Sequence, residues 1–137
     1  MSNYQIIDEP KPKKIENFIV DPIIILLASI FIPFILNPPM FGKYWMPIVW
    51  LLANGYFLGS STIWKEVIIS FIGSILLVGL IILFLYFYQN PGLGDFITPY
   101  LRIIIQATLF LTLYLIVFTQ ANSYSIHEYL KEQRDDT

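Results

Sequence analysis

Apolar residues fall along this chain in four long blocks, separated by short clusters of turn-forming residues. The first block covers 22–36. It follows Asp21, a residue suited to capping a helix start, and opens on Pro22, which suits the first helical position. The second block covers 44–62, the third 67–88 and the fourth about 98–120. A helix needs about 20 apolar residues to cross a bilayer. Each block therefore reads as a span, the first a short one that loses a backbone donor at Pro33. The separators "NPPMFGK", "SSTIWKE" and "QNPGLGD" carry residues that end helices. They are short, so successive helices should be antiparallel neighbours. The predicted fold is an all-α membrane protein, a four-transmembrane-helix antiparallel bundle with short loops, occupying 18–122.

Two polar ends flank this domain. Residues 1–17 mix charge with Pro10 and Pro12 and read as a disordered tail. Residues 123–137 read as an amphipathic extension with Ile126, Tyr129 and Leu130 on one face. Lysines ahead of the first block invite a signal-peptide reading. The apolar run is longer than the usual h-region of about 7–15 residues and lacks a small-residue cleavage site, so a retained helix is expected.

Composition strengthens the membrane reading. The 137 residues are 56% hydrophobic and 13% charged, with a mean hydropathy of +0.66. A soluble domain carries about 25% charged residues, so this chain lacks the polar surface to cover itself in water. The net charge of −2, without a basic stripe, argues against a nucleic-acid partner. There is no cysteine, which excludes disulfides and thiolate chemistry.

Charge also suggests orientation, because cytoplasmic segments collect Lys and Arg. With both ends inside, the inner side holds Lys11, Lys13, Lys14, Lys65, Lys131 and Arg134, and the outer side Lys43 and Arg102. Aromatic rings favour the headgroup level, and Phe41, Tyr44, Trp45, Tyr86, Tyr88 and Tyr100 fall at the outer interface, Trp64 and Tyr124 at the inner. A bacterial inner membrane fits the size and the lysine distribution, with N- and C-termini cytoplasmic.

Few polar residues interrupt the spans. Arg102 and Gln106 lie one turn apart near the outer end of the fourth. Arg102 either snorkels to the headgroups or faces the bundle. In the second case Asp95 is the one acid expected on its side. Below them Leu109, Leu113, Ile116 and Val117 make the same face dry, which opposes a pore along this helix. Thr108, Thr112 and Thr119 suit bonds to their own helix carbonyls. The second span carries Asn54, which wants an interhelical hydrogen bond, and a GxxxG pair, Gly55 and Gly59. Ser70, Gly73 and Ser74 give the third span a comparable small face for packing.

Reactive groupings are scarce. His127 is the single histidine and reads as part of a solvated face with Glu128 and Glu132 rather than a metal ligand. No serine has a base at matching depth, and "PGLGD" lacks the lysine of a phosphate loop. No enzyme, cofactor or metal is expected. The expected role is that of a small non-catalytic subunit or regulator of a membrane assembly, acting through helix contacts with other membrane proteins or with copies of itself. The alternative is a self-assembling channel or pore.

Overall fold

The computed structural model describes residues 18–36, 40–90 and 92–135, and within them every regular element is helical. The polar tail expected over 1–17, the turn residues 37–39 and the side chains of Pro33, Phe41 and Arg134 lie outside the described set. Four helices follow one another: α1 (Pro22–Leu36), α2 (Met40–Leu58), α3 (Ile63–Tyr88) and α4 (Leu93–Asp135).

The start of α1 follows from two residues. The Asp21 carboxylate accepts a hydrogen bond from the Ile23 backbone N–H at 2.8 Å, and Pro22, which has no N–H to satisfy, takes the first helical position. The end of α2 is set by Gly59, whose φ of +67° lies in the left-handed region that glycine enters at little cost. The Ser60 N–H then returns to the Gly55 carbonyl at 3.1 Å and closes the helix end. Gly59 is thus a helix stop, and α2 ends at Leu58, short of the Thr62 end expected for the second block. The α3–α4 turn is equally tight: a Cβ on Gly94 would collide with the Phe87 carbonyl oxygen.

α1 matches its apolar block, and the other three helices start earlier than theirs. Residues of the predicted turns are helical instead, so α2 begins at Met40, α3 at Ile63 and α4 at Leu93. The fourth helix also continues without a break through Ser123 to Asp135, a run of 43 residues or about 64 Å. Among the described residues, only α3 and α4 are long and apolar enough to cross a membrane by themselves, and α1 is a shorter apolar helix.

The helices alternate in direction. The start of α1, the end of α2, the start of α3 and the Gln120 region of α4 meet at one level, as their mutual hydrogen bonds require. α4 packs against each of the other three helices, most extensively against α3, and α1 and α3 do not meet among the described residues. The buried core is apolar through its middle: Leu77 from α3, Leu51 and Ile48 from α2, Ile25 from α1, and Ile105, Leu109, Leu113, Ile116 and Val117 from α4.

The outer surface is apolar as well. α1 exposes Ile24 and Phe31, α2 Val49 and Met46, α3 Ile68, Phe71 and Ile75, and α4 Ile103, Leu111 and Phe118. A soluble monomer rarely shows contiguous apolar patches larger than a few hundred Å², and here the apolar surface continues across every helix.

Candidate functional site

Inside this greasy shell the largest polar grouping is buried, not displayed. Glu66 is 0% exposed although it lies in the first turn of α3. Its position is set by the stripe Glu66, Ser70, Gly73 and Leu77, spaced four, three and four residues apart, which is the buried face of α3. Ser60 Oγ donates to Glu66 Oε1 at 2.7 Å and Thr62 Oγ1 donates to the same oxygen at 2.9 Å. Gln120 Nε2 donates to Glu66 Oε2 at 2.7 Å and to the Leu51 carbonyl at 2.7 Å. One carboxyl group and one amide therefore tie α2, α3 and α4 together.

The surroundings fit closely. A Cβ on Gly55 would collide with Glu66 Oε2 and stand 2.6 Å from Gln120 Nε2, so any larger residue would require this hydrogen-bonded pair to shift. Thr62 Oγ1 also donates to the Thr119 carbonyl at 3.2 Å, which explains why it leaves its own helix start uncapped. Ser60 and Ser123 bring their hydroxyls to 3.3 Å and extend the network one turn along α4. Buried polar groups need such partners, because an unpaired one costs about 1–3 kcal/mol. Two buried atoms, Gln120 Oε1 and Ser70 Oγ, have no partner among the described residues.

Asn54 closes the same level from the other side. Its Oδ1 accepts from the Val20 N–H at 2.9 Å and its Nδ2 donates to the Val20 carbonyl at 2.8 Å. The amide thus forms a two-bond clamp on the chain entering α1. It stands near the end of α2, and its partner is backbone rather than another side chain.

The candidate residues of the sequence divide between this network and other places. Gly55 lies against Glu66 and Gln120, while Gly59 stops the helix and takes no part in that contact. Ser70 is buried on the α3–α4 seam, a Cβ on Gly73 would collide with Thr112, and Ser74 is half-buried beside them. The small face of α3 thus meets α4. Thr112 donates to the Thr108 carbonyl at 2.8 Å and Thr119 to the Ile116 carbonyl at 2.7 Å, both within their own helix. His127, expected on a solvated face, is instead 8% exposed. It continues the stripe of Gln120 and Ser123 on the buried side of α4.

Arg102 and Gln106 are both exposed and stand apart from the buried network. The Arg102 guanidinium lies 5.6 Å from the centroid of the Phe84 ring, a cation–π contact to α3. Asp95 is exposed in the first turn of α4. Gln106 lines a cavity of about 510 Å³ between α1, α2 and α4, together with Ser29, Ile30, Lys43, Leu109, Phe110 and Leu113.

Sequence reasoning missed Glu66 and its donors Ser60, Thr62 and Gln120. "SSTIWKE" reads as a polar turn, and a glutamate there reads as an inner-side charge. The available signal was the small-residue stripe of α3 continued one turn toward its start, where Ser70 is preceded four residues earlier by Glu66. Its burial places an acid inside the bundle.

Comparison with known proteins gives no matching family model, no matching curated protein and no matching solved structure.

Proposed function

We propose that this chain is a four-span membrane protein with both termini on the cytoplasmic side, serving as a non-catalytic subunit or regulator of a membrane assembly. The observation that carries this reading is the inverted distribution of polarity: large apolar side chains are exposed on all four helices, while Ser60, Thr62, Glu66 and Gln120 turn inward and bond one another. A bilayer core is about 30 Å thick. α3, at 26 residues, spans about 39 Å and α4 more. The alternating directions would carry the shorter α1 and α2 through the same layer.

The assembly role is supported by what α4 does past the bundle. Its last turns carry exposed Ile126 and Tyr129 among charged residues, on the helix face opposite the buried His127. An apolar pair displayed on such a face suits a groove on a partner. A pore within one chain is disfavoured, because Leu77, Leu109, Leu113 and Ile116 fill the centre.

The topology is tested by tags at the two termini and by Asn90→Cys in the exposed α3–α4 turn. Both tags should be cytoplasmic and the cysteine should label from outside. Tags on opposite faces would overturn the four-span reading. The assembly role is tested by cross-linking in native membranes followed by mass measurement. The wild type should run as a complex and the Ile126→Ser, Tyr129→Ser variant as a folded monomer. A wild-type monomer in the same experiment would sink it.

A further inference from the structure

The cavity between α1, α2 and α4 has the chemistry of a ligand site. Its volume of about 510 Å³ falls within the range of about 300–1,000 Å³ typical of ligand pockets. Lys43 and Gln106 contribute a cation and an amide to its lining, and the rest of the wall is mostly apolar, from Ile30, Leu109, Phe110 and Leu113. None of the described residues lining it is acidic. Ser29, the other polar residue there, already donates to its own helix at the Ile25 carbonyl, 2.6 Å away. Arg102 lies one turn before Gln106 on α4, outside the lining, with its guanidinium over Phe84 of α3.

The shape restricts the occupant. A helix about 10 Å across would use this volume in little more than one turn, so a second protein helix does not fit. A flexible acyl chain does. From Gln106 to Leu113 the wall runs about 10 Å along α4, toward the centre of the bundle. In a bilayer an amide and an ammonium facing such a space need an acceptor, since hydrocarbon offers none.

We propose that this cavity binds one anionic phospholipid of the surrounding bilayer, with its phosphate at Lys43 and Gln106 and an acyl chain along Leu109 and Leu113. The proposal rests on the membrane-spanning reading and goes beyond it. A phosphate accepts from both the ammonium and the amide, and its charge complements Lys43. A zwitterionic lipid offers the same acyl chain but no net charge, so selectivity between the two separates this site from ordinary lipid contact.

The test uses the full chain reconstituted into vesicles of phosphatidylcholine with one-fifth phosphatidylglycerol, then extracted gently and weighed by native mass spectrometry. The wild type should retain one phosphatidylglycerol in excess of its share in the vesicle. Lys43→Glu should reduce that excess by at least about fivefold, the loss associated with one basic residue near a lipid surface. Gln106→Leu should reduce it without altering charge. Ser29→Leu, which narrows the cavity from the α1 side, should displace the lipid of either headgroup. Lys65→Glu, at the opposite end of the bundle, should leave retention unchanged. Equal retention of both lipids, or retention indifferent to Lys43→Glu and Gln106→Leu while circular dichroism shows intact helix, would overturn the proposal. A chain that fails to float with the vesicles would break the membrane reading instead.

Discussion

The two ends of the bundle treat polar residues in opposite ways. At the end where α2 stops and α3 begins, Glu66, Gln120, Ser60, Thr62 and Asn54 are buried or half-buried and spend their hydrogen bonds on the protein. At the other end Lys43, Arg102 and Gln106 line or overlook open space, with one ring contact, Arg102 on Phe84. Residue type alone does not separate them, since each end holds charged and amide side chains. Closeness of approach does. Gly55 brings α2 against Glu66 and Gln120, whereas α1, α2 and α4 stay far enough apart around Gln106 to leave a cavity. One end is a lock, and the other is open to a ligand.

The sharpest way to break this contrast is to remove the carboxyl group from the closed end. Glu66→Ala leaves Ser60, Thr62 and Gln120 facing a void with unsatisfied donors. Breaking a buried polar network of this kind costs about 3 kcal/mol or more. Gln106→Leu, at the open end, should change stability by less than about 0.5 kcal/mol, as surface substitutions usually do. Reversible unfolding in mixed micelles reads both. Similar losses for the two variants would show that Glu66 contributes no more to folding than an exposed amide.

A steric version of the same comparison uses two glycines. A methyl at Gly55 must displace Glu66 or Gln120, so Gly55→Ala should destabilise by about 1–3 kcal/mol. At Gly79, on the exposed side of α3, a Cβ meets nothing within 4 Å, and Gly79→Ala should stabilise by up to about 1 kcal/mol through helix propensity alone. The same measurement decides the matter, and an equal sign at both positions would contradict the close approach of α2.

Asn54 gives a smaller effect. Asn54→Leu removes both bonds to Val20 and should cost about 1–2 kcal/mol, the usual range for an interhelical polar contact in a membrane. Its signature is local: hydrogen exchange at Val20 and the first turn of α1 should accelerate more than exchange along α3. Uniform acceleration would mean the amide supports the whole bundle rather than the entry to α1.

How much of this was readable beforehand follows the same division. Helix positions came from apolar blocks, Pro22 and Asp21, because those signals are local. Helix ends did not, since Ile63, Trp64 and Lys65 sit in a turn-like stretch whose link to α4 runs through Glu66 and Gln120. The polar candidates were chosen by depth within a span, which favoured Arg102 and Gln106. Depth is a one-dimensional quantity. Burial of Glu66 depends on Gln120, which lies 54 residues away, and on the missing Cβ of Gly55, and no local pattern encodes that meeting.

The smallest predicted effect concerns Arg102, where two readings of the open end part company. Its guanidinium packs on Phe84 while the residue remains exposed, so its stem and plane serve α3 and its charge faces outward. Lysine keeps the charge and the reach but has no planar face to lay on the ring. Arg102→Lys should therefore cost about 0.5–1 kcal/mol of stability, the worth of an exposed cation–π contact, and leave lipid selectivity intact. Phe84→Leu should cost a similar amount, and the double variant little more than either single one, because both remove one contact. Additive losses would mean that Arg102 and Phe84 act separately. A loss of lipid retention in Arg102→Lys comparable to that in Lys43→Glu would shift the headgroup from Lys43 toward Arg102, one turn nearer the membrane surface.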